Sequence, residues 1–202
     1  WNVTRNYTNW REMLQSEVGK IDALAILTPS NAHFDILQES LKLDYPVICE
    51  KTITATHQES QAISKLAIER NSFLTVINNY TGYHMLRELQ AMIKKGDLGK
   101  IITIQLEMPQ QGFISYTKDG SKPQPQKWRL EDSQIPTIYL DLGVHLFHIA
   151  SFLLEEQPLE VCAMHKTNGF FEKIVDDVSC MVKYSNNINA QLWFSKTALG
   201  HR

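Results

Sequence analysis

A parallel α/β layer followed by a mainly antiparallel α+β domain is the fold class this chain predicts. Three observations carry that expectation. Short apolar runs at 21–28, 46–49 and 73–77 alternate with helix-like stretches, the pattern of parallel strands joined by crossover helices. The character changes after Asn79, which divides the chain into 1–79 and 80–202. Strand-like runs at 159–165, 177–184 and 188–195 then follow one another without helices between them, as in an antiparallel sheet with helices on one face.

In order, Thr8 or Asn9 can cap a short helix, NWREMLQSE, that stops near Gly19. IDALAILT (21–28) is nearly continuous in apolar residues, as suits a strand buried on both faces of a doubly wound layer. Pro29 ends it, and Ser30 or Asn31 can cap AHFDILQESLKL. PVIC (46–49) is a second strand, ending at Glu50-Lys51. Thr54 or Thr56 opens a helix with Ala62, Leu66 and Ile68 among its apolar positions, and FLTVI (73–77) is a third strand. Residues 85–95 form an amphipathic helix stopped by Gly96, and 100–108 alternate as a half-exposed strand should. Residues 109–136, rich in Gln, Pro and Gly, read as a lid or binding loop, or as a mobile surface loop. TIYLDLGVHLFHIASFLL (137–154) is a helix, and Ser185-Asn186-Asn187 is a hairpin turn.

Composition narrows the partners. With 202 residues, 43% apolar and 21% charged, the chain is ordinary for a folded globular protein with a sizeable core. A net charge of −2 supplies no basic excess for nucleic acid, and Lys65, Arg70, Lys94 and Lys95 read as solvated surface. Cys49, Cys162 and Cys180 are widely spaced without a CxxC, which argues against a disulfide framework or a zinc site and fits a reducing cytoplasm. Glycosylation-type triplets begin at Asn2, Asn6 and Asn79, short enough to recur by chance. No run of about 18 apolar residues predicts a membrane span. With no initiator Met and no signal peptide, the chain reads as an interior segment of a longer polypeptide.

Within 137–154, Leu142, Leu146, Ile149, Ala150 and Leu153 form one apolar face, while Asp141 and His145, four apart, stack on another. A carboxylate beside an imidazole fixes the ring's tautomer and stabilises its protonated form, as a general base near neutral pH requires. The same spacing also describes a solvated Asp–His pair. His148, one turn further, reads as structural.

The ordered series TPSNAH, VICEKT and LDLGVH resembles the glucose–fructose oxidoreductase / inositol dehydrogenase (Gfo/Idh/MocA) family of NAD(P)-dependent enzymes. Thr28-Pro29 with His33, Glu50-Lys51, and Asp141 with Gly143 and His145 carry the likeness. NNYTGYHM, the Gly96–Gly99 turn, Trp128-Arg129 and Asp176-Asp177-Val178 extend it over nearly the whole chain. Thr52 replaces the proline of the family's EKP. The family's glycine-rich phosphate turn and ribose-binding acid would lie N-terminal to the residues present.

The resemblance implies a partial Rossmann-type sheet, NAD or NADP as cofactor, and a sugar, inositol or related polyol as substrate. It places Lys51, Asp141 and His145 around the reacting hydroxyl. His145 would be the general base, Asp141 would orient it or bind hydroxyls, and Lys51 would stabilise the alkoxide and order the nicotinamide. Thr28, Pro29, Glu50, Lys51 and Asn79 would line the cofactor site, while His33 is a cofactor contact or a surface residue at a helix start. Trp128 and Arg129 would close the site on the substrate side, unless Trp128 is a core anchor. Asp177 would contact substrate or simply start a strand. Pairing of the second-domain sheets would give a homo-oligomer. A lone piece of this extent would hold dinucleotide weakly. Two rivals stand beside this: a non-catalytic dinucleotide- or sugar-binding regulator, and a metal-dependent isomerase or hydrolase using Asp141, His145 and His148, which lacks a further convergent ligand.

Overall fold

The computed structural model describes residues 3–200, so Asn2, the first residue of its triplet, lies outside the described residues. Two compact units divide the chain at Ile77/Asn78.

The first unit begins with α1 (Trp10–Ser16), whose Asn9 side chain accepts the Arg11 N–H at 2.9 Å. Its parallel strands β1 (Leu24–Ile26), β2 (Val47–Glu50) and β3 (Leu74–Ile77) lie side by side in that order. α2 (His33–Lys42) connects the first two strands and α3 (His57–Glu69) the last two. Thr56 and Glu59 form a reciprocal capping box at the start of α3, satisfying two N–H groups that the helix leaves orphaned. At the start of α2, neither Ser30 nor Asn31 acts as the helix cap. A 3-10 turn, Ser30–Ala32, leads directly into the helix.

Strand register explains where this core sits. Leu24, Val47 and Leu74 are in line across the sheet, as are Ile26, Cys49 and Val76. These rows face Leu14, Ile36, Leu37, Leu41 and Ile63 of the three helices. The intervening row of Ala25, Ile48 and Thr75 is exposed or half-buried. Among the described residues, then, helices cover one face of the sheet. The expected burial of 21–28 on both faces does not hold, and Leu27 is 68% exposed. The apolar stripe of α3 is Ile63, Leu66 and Ala67, at i, i+3, i+4, whereas Ala62 and Ile68 point outward.

The second unit opens with α4 (His84–Lys95), ended by Gly96 at φ +83°, where a side chain would be strained. Its sheet comprises β4 (Thr103–Pro109), β5 (Pro158–Lys166), β6 (Asp177–Tyr184) and β7 (Asn189–Ser195), in the order β4-β7-β6-β5. β5–β6 and β6–β7 are antiparallel, but β4 runs parallel to β7, so the sheet is mixed. Asn186 and Asn187, at φ 57° and 61°, make the β6–β7 turn, a conformation that Asn tolerates better than most residues. α5 (Val144–Leu154) lies over one sheet face, where Leu142, Leu146, Ala150 and Leu154 meet Val178, Cys180, Val182, Ala190, Leu192 and Phe194. Burial of these side chains, about 1.5–3 kcal/mol for each large one, is the main force holding helix to sheet. Every residue of β5 is exposed. Among the described residues, no helix is long and apolar enough to cross a membrane.

Candidate active site

The helix predicted for 137–154 is continuous, but Tyr139–Gly143 is π-helical before α5 begins. The Val144 N–H reaches back to Tyr139 O, five residues earlier, and such widened turns recur at functional sites. Asp132 holds the start, its carboxylate accepting the N–H groups of Thr137 at 2.8 Å and Val175 at 2.9 Å. Gly143 lets the helix settle on β7, since any β-carbon there would touch the Phe194 ring.

Asp141 and His145 are 5% and 8% exposed, so they are not a solvated pair on an outer face. The Asp141 carboxylate accepts from two cations. Lys196 Nζ lies 2.7 Å from Oδ2, and Arg129 donates through Nε to Oδ2 at 3.0 Å and through Nη2 to Oδ1 at 3.4 Å. His145 meets the Tyr80 ring edge-on, with centroids 4.7 Å apart and planes at 76°. His148 is half-buried, and burial pulls its pKa below the ordinary histidine value.

The 109–136 segment supplies Arg129 and is tied down at its base. Gln110 N–H donates to Ser195 O at 2.8 Å, and Phe113 N–H to Lys196 O at 2.9 Å. Phe113 is buried and stacks edge-on against Phe171, so this end is not a mobile surface loop. Further along, Lys127–Leu130 forms a 3-10 turn. There Gln126 accepts from Trp128 Nε1 at 3.0 Å and from Arg129 Nη1 at 2.9 Å, and the guanidinium lies over the Trp128 ring at 4.5 Å. Trp128 is half-buried and serves as a platform for Arg129, not as a core anchor. The structure therefore brings Trp128, Arg129 and Asp141 together.

In the first unit, parallel strands put Thr28 and Pro29 after β1, and Glu50 and Lys51 at the end of β2, on the same carboxyl edge of the sheet. Ligands of open α/β sheets bind at that edge. His33 is wholly buried, which rules out the surface reading. Its Nε2 lies 2.7 Å from Thr28 O and its Nδ1 2.8 Å from Thr52 O, so the ring ties together the two loops that carry the predicted cofactor residues. Asn79 opens a 3-10 turn in the second unit and is exposed. Glu50 folds back to accept its neighbour Lys51's N–H at 3.1 Å.

Asp177 starts β6 and accepts from Trp193 Nε1 at 3.2 Å. Its neighbour Asp176 is fully buried and accepts the N–H groups of Asn168 at 2.8 Å and Gly169 at 2.7 Å. Burial pushes the Asp176 carboxyl above the usual range despite those bonds. Among the described residues, no group of three or more His, Cys, Asp or Glu converges as a metal site would require. The partners of Asp141 named above are cations, the wrong charge for co-ligands.

Sequence reasoning missed Lys196 and Tyr80. Lys196 was within reach, because Ala190, Leu192 and Phe194 point inward and strand alternation carries that parity to 196.

Residues 1–78 match the oxidoreductase family with an NAD-binding Rossmann fold, and residues 86–202 match the GFO/IDH/MocA C-terminal domain. An uncharacterised oxidoreductase of Bacillus subtilis, YfiI, is 28% identical over 207 residues, covering 98% of this chain and 52% of that protein. Inositol 2-dehydrogenase of Rhizobium meliloti is 27% identical over 146 residues, covering 71% of this chain and 39% of the enzyme. The chain thus spans about half the length of the first of these relatives and less of the second. Among solved structures, an oxidoreductase from Sinorhizobium meliloti superposes with a TM-score of 0.81 at 26% identity, covering 98% of this chain and 53% of that one. An inositol dehydrogenase homolog from Azotobacter vinelandii, complexed with NADH and myo-inositol, gives 0.83 at 22% identity, covering 96% and 50%, a likeness of fold. With both of its units matched in sequence, the chain belongs to the GFO/IDH/MocA family of oxidoreductases.

Proposed function

We propose that this chain is part of an NAD(P)-dependent dehydrogenase acting on a secondary alcohol of a sugar, inositol or related polyol. The observation that carries this reading is the buried Asp141 carboxylate, held between Arg129 and Lys196 one turn before His145 on a π-bulged helix. Family membership and relatives named inositol and D-xylose dehydrogenases support it. The cofactor fits the carboxyl edge of the parallel sheet, with Thr28, Pro29, Glu50, Lys51 and Asn79 beside it and His33 setting the loops. When bound, the dinucleotide supplies the hydride acceptor.

The remaining chemistry belongs to the chain. His145 takes the hydroxyl proton as general base, and Asp141 orients the imidazole and binds substrate hydroxyls. Lys51 places positive charge beside the developing alkoxide. Trp128 and Arg129 enclose the substrate, with Arg129 fixed by Asp141 and Gln126. Three unpaired thiols accord with a reducing cytoplasm. The exposed apolar residues Val161, Met164 and Met181 offer a face for pairing with a second copy, which we assign as the homo-oligomer contact.

NAD(P)H formation by the full-length protein, across a panel of sugars and inositols, tests the reading. Lys51→Ala and His145→Ala are each expected to lower turnover by at least about 10²-fold while leaving the fold intact. Normal turnover in either variant would overturn the assignment. Binding of dinucleotide and sugar by the wild type without turnover would make the protein a regulatory relative.

A further inference from the structure

We propose that Lys196 is a positioning residue that holds Asp141 ionised and aimed for the reaction. This rests on the dehydrogenase reading above but is tested apart from it. Both side chains are almost wholly enclosed, 8% exposed for Lys196 and 6% for Asp141, with Nζ to Oδ2 at 2.7 Å.

Lys196 is itself fixed from both sides. Its N–H donates to Asp176 O at 2.8 Å, and its carbonyl accepts the Phe113 N–H at 2.9 Å. Its ammonium lies 5.3 Å from the centre of the Phe113 ring and 3.4 Å from Gln110 Oε1. The Asp176 carboxylate in turn anchors the 168–169 turn, so the lysine's backbone sits in a frame that a single side-chain change does not dismantle. Asp141 is brought to it by its helix, which Gly143 allows onto Phe194, two residues before Lys196 on the inward-facing parity of β7.

Two features separate this role from simple stabilisation. A buried ion pair contributes little net stability compared with apolar residues of the same volume, because both charges lose water. What it does supply is a fixed carboxylate that stays charged in a low-dielectric site, as a group orienting a general base requires. Within this unit, Arg129 from the 3-10 turn and Lys196 beyond β7 bring positive charge to Asp141, and His145 lies one turn further along the same helix. Arg129 is one-third exposed, so Lys196 is the enclosed partner of the two.

The test compares Lys196→Met and Lys196→Arg in the full-length protein. The carboxyl carbon of Asp141, assigned through Asp141→Asn, is titrated by NMR. Its midpoint is expected to rise by about one to three pH units in Lys196→Met and to return toward wild type in Lys196→Arg, since the cation is restored. In turnover assays, kcat falls in Lys196→Met and recovers in Lys196→Arg, while the cofactor KM is unchanged in both. A midpoint that does not move overturns the proposal. A midpoint that moves while no substrate is turned over by the wild type sinks the dehydrogenase reading and leaves the Lys196–Asp141 coupling standing. If Lys196→Met is too unstable to titrate, the Asp141→Asn/Lys196→Met double variant, which buries neither charge, is expected to melt at a higher temperature than Lys196→Met. Equal or lower melting of the double variant counts against the pair.

Discussion

Gly143 rests directly on the ring of Phe194. A β-carbon built at this glycine would come 3.0 Å from Phe194 Cζ and 3.2 Å from Cε2. Phe194 is completely buried and stacks edge-on with Tyr139 at 5.3 Å, so it has little room to yield.

Two opposing terms set the effect of Gly143→Ala. Overpacking costs about 1–3 kcal/mol, while replacing a helical glycine gains about 1 kcal/mol. The net expectation is a loss of about 0–2 kcal/mol in the wild-type background. With Phe194→Leu the clash is relieved, and the same substitution should become neutral or stabilising. Urea unfolding of the four proteins checks this, and an identical effect in both backgrounds would show that the contact is not limiting.

His33 spans two loop carbonyls, so His33→Leu leaves Thr28 O and Thr52 O without their ring partner. A loss of about 1–3 kcal/mol in unfolding free energy is expected. Because those loops carry Thr28, Pro29 and Lys51, dinucleotide affinity in the full-length protein should fall as well. Calorimetric titration beside urea melts separates the two effects, and unchanged affinity in a folded variant would remove His33 from the cofactor site's support.

The three thiols should differ in reactivity. Burial pushes the Cys49 thiol up to about 12 and raises Cys180, whereas Cys162 lies on the exposed face of β5. Iodoacetamide at pH 8 is expected to modify Cys162 alone in the native protein, and all three in denaturant, as read by mass spectrometry. If the β5 face pairs with a second copy, labelling of Cys162 slows as protein concentration rises.

Much of this was legible along the chain, and the reasons differ by residue. Residues 177–184 read as a strand from the sequence, and Thr54 or Thr56 as a helix start, which the capping box with Glu59 fixes on Thr56. Asp141 and His145 stood out because they share a helix. Their burial did not, since it depends on Arg129, twelve residues away, and Lys196, fifty-five away. The π-helical stretch has no composition of its own. His33 read as a cofactor contact or a surface residue alike, because the 3-10 turn at 30–32 that precedes its helix is a detail that capping patterns do not carry. The placement of β4 beside β7 was equally hidden, because pairing between distant segments leaves no periodic trace.

That placement has a consequence for how the protein is made. Among the described residues β4 is an edge strand whose sheet neighbour, β7, lies some eighty residues further along the chain. During vectorial synthesis, β5 and β6 can zip together as they emerge, while the earlier strand waits with both hydrogen-bonding rims unfilled. The slow, non-local closure of this sheet therefore belongs to the moment β7 clears the ribosome. Until then the buried Asp141–Lys196 pair does not exist, so this part of the candidate site waits on a contact between distant segments.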